Sequence, residues 1–109
     1  MTDLHEVVAQ SADAADLHAP VPTLLLELQS LLGTLTATVT EATERGRRPF
    51  RPDPAWSSRL GDLAYGVYLL ADQTGINVTE AVTATATQLW NRNQQAQQAA
   101  PPDWPFAAH

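Results

Sequence analysis

The feature that most limits how this chain can fold is one long stripe of apolar residues with the spacing of an α-helix. Between Pro22 and Glu44 the apolar side chains recur three or four residues apart, at Leu24, Leu25, Leu28, Leu31, Leu32, Leu35, Val39 and Ala42. This spacing places them along one side of an α-helix, which turns once in about 3.6 residues. No segment shows the alternation of apolar and polar residues that is typical of a β-strand. The sequence therefore predicts an all-α fold.

A second helix is predicted to start at Ser57 or Ser58, either of which suits an N-cap, and to end near Thr74, before Gly75. Its inward side is expected to consist of Leu60, Leu63, Ala64, Val67, Leu70 and Ala71. A second apolar side consists of Tyr65, Tyr68 and Leu69. Because a helix that is apolar on two sides is usually buried on both, we expect this second side to meet another subunit.

Two further segments complete the predicted fold. Asn77, with Glu80 three residues later, forms a capping box for a last helix that runs into the Gln/Ala-rich stretch 94–100. Its inward stripe is expected at Val78, Ala81, Val82, Thr85, Ala86 and Leu89. A weaker amphipathic segment covers residues 3–17 of the N-terminal stretch 1–20. Together these segments predict a bundle of about four helices in a single domain over residues 1–109.

Proline interrupts the helical pattern in two places. Pro49, Pro52 and Pro54 favour an extended connector between the first long helix and the next. The tail 101–109 combines prolines with Trp104 and Phe106 and is predicted to be non-helical.

Charge and composition exclude several classes of partner. The chain has 12 acidic and 6 basic residues, a net charge of −6, which disfavours DNA and anionic membranes because both require a basic surface. No run of about 18 apolar residues is present to span a bilayer, and the acidic N-terminus does not resemble a secretory signal. We therefore expect a cytoplasmic protein. Cysteine is absent, so disulfides and thiolate chemistry are excluded.

Common catalytic motifs are also missing. The sequence contains no Gly-x-Gly-x-x-Gly, no Gly-x-x-x-x-Gly-Lys and no Gly-x-Ser-x-Gly. The histidines His5, His18 and His109 have no helical metal-ligand spacing and are expected to be exposed.

Two groups of charged residues remain as candidates. Glu27 and Asp62 lie near the apolar sides of their helices, where a carboxylate is either half-exposed or held by a metal or a counter-charge. Four of the six arginines lie close together in the connector, namely Arg45, Arg47, Arg48 and Arg51. Such a cluster either attracts a phosphate or carboxylate or is simply solvated.

The stretch from Arg59 to Arg92 resembles the MazG family of all-α nucleotide pyrophosphohydrolases. The likeness rests on Gly61-Asp62-Leu63, on the turn Gly75-Ile76-Asn77 and on the ending Asn91-Arg92, and it extends over residues 22–95. It implies a carboxylate site for Mg²⁺ that hydrolyses nucleoside triphosphates to monophosphates and pyrophosphate. It also implies assembly into dimers or tetramers. Arg47, Arg48 and Arg51 of the connector, with Arg92 at the matching ending, are the candidate phosphate-binding residues.

The family's acidic motifs are incomplete here. Of the first motif only Glu27 is kept, and Leu26 and Ser30 occupy the places of the two other glutamates. Of the second motif Asp62 is kept, and Arg59 replaces its acidic partner. Glu27 and Asp62 are thus the remaining candidate ligands for a weakly held Mg²⁺.

Three functions follow from this pattern. We expect a divergent MazG-like protein that is weakly active or non-catalytic and acts by binding a nucleotide or a protein. An active Mg²⁺-dependent pyrophosphohydrolase is the first alternative, and a helical dimerisation module without a ligand is the second. Whether the protein is an enzyme stays open at this point.

Overall fold

The computed structural model describes residues 3–96, and this part of the chain folds into four helices without a strand. They are α1 (Leu4–Ala15), α2 (Val21–Ala42), α3 (Ala55–Thr74) and α4 (Val78–Ala96). The predicted all-α bundle of about four helices is therefore confirmed. The predictions for the tail 101–109 and for the end of the Gln/Ala-rich stretch fall outside the described residues.

The helix ends follow local hydrogen bonding. Gly75 ends α3 as predicted, with a φ of 72° in the left-handed region. Asn77 caps α4 as predicted, since its Oδ1 accepts the backbone N–H of Glu80 at 2.9 Å. The predicted start of α3 is two or three residues too late, because Asp53 Oδ1 accepts the Ala55 N–H at 3.0 Å and the helix begins there.

The described chain forms two compact units, residues 3–76 with α1, α2 and α3, and residues 77–96 with α4. The assignment of a single domain to residues 1–109 stays a prediction. In the second unit the predicted inward stripe of α4 is not buried, because Val82 is 60% and Leu89 40% exposed.

The core of the first unit lies between α1, α3 and the start of α2. Its buried members are Val8, Ala12, Leu24 and Leu69. Tyr65 and Tyr68 pack against this core, and the Tyr65 hydroxyl lies 2.7 Å from Ser11 Oγ on α1. The side of α3 that was expected to meet another subunit therefore packs against α1 of the same chain.

Helices α2 and α3 pack side by side and run antiparallel. Arg59 near the start of α3 hydrogen-bonds to Thr38 near the end of α2. Further along α3, a Cβ placed on Gly66 would lie 2.6 Å from Leu28 Cδ2. Residues with higher numbers on α3 thus contact residues with lower numbers on α2. These two contacts define the register of the helix pair.

The predicted inward side of α3 is only partly buried. Ala71 is buried, but Leu60 and Val67 are 44% and 42% exposed. None of the helices within residues 3–96 is long and apolar enough to cross a membrane.

Candidate functional site

Thr43 organises the connector between α2 and α3. It is the buried polar residue at the end of α2, 7% exposed, and its Oγ1 donates to the Val39 carbonyl at 2.7 Å. The same Oγ1 accepts the Gly46 N–H at 3.1 Å, and the Thr43 carbonyl accepts the Arg48 N–H at 2.9 Å. One buried residue thus fixes the turn from which the arginines project.

The turn itself has an unusual backbone. Glu44, Arg45 and Gly46 follow one another in the left-handed region, with φ values of 49°, 62° and 89°. A non-glycine residue adopts this conformation at a cost of order 1 kcal/mol, so surrounding contacts must hold it. Glycine at 46 fits the predicted end signal, although α2 already ends at Ala42 and not at Glu44.

Aromatic packing fixes the other half of the connector. The rings of Phe50 and Trp56 meet edge to face with their centroids 4.8 Å apart. Both side chains are half-buried, so this pair ties the proline-rich segment to the first turn of α3.

Two of the predicted phosphate-binding arginines share a hollow. Arg48 and Arg51, together with Ala42 and Pro49, line an open hollow of about 350 Å³ at the connector. Arg47 is exposed and does not line it. Arg92 lies on α4 in the second unit and is half-buried.

Arg59 lies at a neighbouring hollow of about 470 Å³, which it lines with Thr38, Glu41, Ala42 and Asp53. Its guanidinium donates to Thr38 Oγ1. Among the described residues no carboxylate lies within ion-pair distance of Arg59. The structure therefore places this arginine against α2 and does not pair it with Glu27 or Asp62.

The helix register also separates the two candidate ligands. Both Glu27 and Asp62 are exposed. The contacts of Arg59 with Thr38 and of Gly66 with Leu28 put Asp62 level with about residue 34 of α2. Glu27 therefore lies about seven residues further along, or roughly 10 Å of helix axis.

A shared magnesium site would have to bridge this offset. Two carboxylates that bind one Mg²⁺ hold their oxygens at about 2.1 Å from the ion, and hence within about 4 Å of each other. In residues 3–96 no group of three or more His, Asp and Glu side chains is arranged to hold a metal ion. Ser30 is exposed, and its carbonyl accepts the Thr34 hydroxyl at 3.1 Å.

A histidine cluster was missed by sequence reasoning. His18 Nε2 lies 2.8 Å from Asp13 Oδ1 and 3.8 Å from Asp72 Oδ2, and its Nδ1 lies 3.3 Å from Gln73 Oε1. It was expected to be exposed, but it is half-buried between the ends of α1 and α3. Its partner Gln73 on α3 lies 55 residues further along the chain, so no local spacing marks this contact.

No protein-family model matches this chain, and no curated protein or solved structure shows significant similarity to it.

Proposed function

We propose that this chain is a divergent MazG-like protein that acts through its helical surfaces, and that a second copy of itself is the partner. The observation that carries this proposal is an uncovered apolar face on the α2–α3 pair. Leu25 and Leu32 of α2 are 44% and 54% exposed, and Leu60 and Val67 of α3 are 44% and 42% exposed. We call these four residues the apolar face.

All four residues lie on the same side of the helix pair. Within each helix the two positions are seven residues apart and so nearly coincide in direction. Leu60 and Val67 flank the α2 contact on the side opposite to Tyr65 and Leu69, which pack on α1. Because α2 runs antiparallel to α3, Leu25 and Leu32 flank the contact on this same side.

A second copy suits this face better than a membrane does. The net charge of −6 opposes binding to an anionic lipid surface. The core within residues 3–96 is also small, with six buried apolar residues: Val8, Ala12, Leu24, Leu35, Leu69 and Ala71. A symmetric dimer covers the same patch on both subunits and adds the buried apolar area that so small a core lacks.

The reduced acid set supports a non-catalytic role. Arg59 brings a positive charge to a position where the resemblance implies a metal ligand. Glu27 and Asp62 are also offset by roughly 10 Å along the helix axes. The active pyrophosphohydrolase that was the first alternative therefore has the weaker support.

Light scattering coupled to gel filtration tests the self-association. We expect a mass of at least twice the 11.8 kDa of the chain at micromolar concentration. Leu25→Gln/Leu32→Gln should raise the dissociation constant at least ~10-fold, since each change removes about 1 kcal/mol or more of apolar burial at the contact.

Leu17→Gln/Leu26→Gln is the matched control, because both residues are exposed leucines that lie off the apolar face. Its dimer should be as stable as the native one. A native protein that remains a monomer at high concentration would contradict the proposal, and so would equal weakening by both double variants.

A further inference from the structure

We propose that Arg48 and Arg51 form a binding site for the phosphate dianion of a small molecule. The site lies in the connector, includes none of the four residues of the apolar face and does not depend on self-association. It also differs from the predicted arginine set, since it excludes Arg47 and Arg92.

Two arginines line the same hollow. Arg48 and Arg51 are three residues apart with Pro49 between them, and both line the same hollow of about 350 Å³. That volume lies near the lower end of the range for small-molecule sites. Arginine side chains form paired hydrogen bonds to phosphate oxygens, so two of them can bind one dianion from two sides.

The charges around the hollow leave room for an anion. Arg48 Nη2 lies 3.3 Å from Glu44 Oε1, in a pair whose side chains are 68% and 51% exposed. Exposed pairs of this kind contribute little, so a stronger anion can displace Glu44. Arg51 has no carboxylate within ion-pair distance among the described residues.

The connector is also held in place before any ligand binds. Thr43 fixes the left-handed turn at residues 44–46, and the Phe50–Trp56 pair fixes the segment after Arg48. Because Arg48 and Arg51 lie between these two anchors, the backbone of the site needs little ordering on binding.

Phosphate suits the site better than a carboxylate or a polymer. A carboxylate is already supplied by Glu44, and its single charge satisfies only one of the two arginines. A nucleic acid requires a series of phosphate contacts along a basic surface, whereas this protein has a net charge of −6. A small phosphate monoester or free phosphate meets both arginines at once.

Titration calorimetry at low salt tests the site with inorganic phosphate, ribose 5-phosphate and adenosine monophosphate. We expect millimolar or tighter binding that Arg48→Gln/Arg51→Gln weakens at least ~10-fold, the loss of charge-assisted hydrogen bonds. Glu44→Gln should strengthen binding about 2-fold, because an exposed competing ion pair of ~0.5 kcal/mol is removed.

Arg45→Gln/Arg47→Gln is the matched control, since it removes the same charge from the same connector but lies outside the hollow. Binding within about 2-fold of the native value is expected, because only long-range attraction is lost. Equal weakening by the two double variants would show a net-charge effect and overturn the site.

The ligand series separates the sources of the phosphate. Tighter binding of the two monoesters than of free phosphate assigns the site to a phosphorylated metabolite, and equal binding assigns it to free phosphate. No heat with any of the three compounds, or a preference for a single-stranded oligonucleotide over all of them, overturns the proposal.

Discussion

At the scale of single residues, two glycines of α3 show how the same residue type meets different surroundings. A Cβ on Gly61 would have no atom within 4 Å, whereas a Cβ on Gly66 would lie 2.6 Å from Leu28 Cδ2. Both glycines lie inside a helix, where Gly is less favourable than Ala by about 1 kcal/mol. The close approach of α2 and α3 thus depends on Gly66 and not on Gly61.

We predict that Gly61→Ala stabilises the protein by about 0.5–1 kcal/mol, since only the helix propensity changes. Gly66→Ala should stabilise it less or not at all, because the Leu28 side chain must move to admit the new methyl group. Thermal unfolding followed by circular dichroism measures both. An equal rise in Tm for the two variants would contradict the contact that defines the helix register.

At the scale of elements, the threonines of α2 show how tertiary contacts override intrinsic propensity. Thr34, Thr36 and Thr38 donate their hydroxyls to the backbone carbonyls four residues earlier, at 2.9–3.1 Å. These bonds satisfy the side chains but bring no burial of their own. The second half of α2 is held instead by its packing against α3 and by Thr43 at its end.

We predict that Thr43→Val destabilises the protein by about 1–2 kcal/mol, because the Gly46 N–H loses its acceptor and the Val39 carbonyl loses one of its two donors and keeps the Thr43 N–H. Thr43→Ser keeps the hydroxyl and loses one methyl group, so its cost should be smaller, about 0.8 kcal/mol or less. Denaturant unfolding of the two variants gives the comparison. A Thr43→Val variant as stable as Thr43→Ser would mean that the hydroxyl does not hold the turn.

The helices also show which features could be predicted from the sequence. Helix number, the stop at Gly75 and the cap at Asn77 depend on local chemistry, so they were predicted correctly. The inward side of α3 was not, because Leu60 and Leu69 are equally apolar and only the position of α1 decides which of them is buried.

Candidate site residues were harder to predict, because their positions also depend on tertiary structure and not on local sequence. The arginine cluster is visible in the sequence, but the division between Arg48 and Arg51 in the hollow and Arg47 outside it follows from the turn geometry at residues 44–46. That turn is built by a buried threonine, which has no distinctive sequence signal.

At the scale of the first unit as a whole, the antiparallel register of α2 and α3 determines which of their side chains can bind the same ion. Glu27 and Asp62 both flank the α2–α3 contact on the side that also carries α1, but they lie roughly 10 Å apart along the axes. Thr34 is the α2 residue level with Asp62 by the same register. The register thus sets the two candidate ligands at different levels of the helix pair.

We predict that Mg²⁺ leaves the Tm of the native protein unchanged, and that a Mg²⁺-dependent rise appears in Thr34→Glu. This change sets a second carboxylate level with Asp62, and one or two carboxylates with water can hold Mg²⁺ weakly. At an ion concentration ~10 times the dissociation constant, binding stabilises the fold by about 1.4 kcal/mol, a shift of several degrees in a protein of this size.

Thr36→Glu is the matched control, because Thr36 is also exposed and bonded to a carbonyl four residues earlier but points away from Asp62. A Mg²⁺-dependent rise in the native protein, or release of pyrophosphate from a nucleoside triphosphate by it, would show that the ligands lie elsewhere, while a Thr34→Glu variant that folds but ignores Mg²⁺ would refute the register.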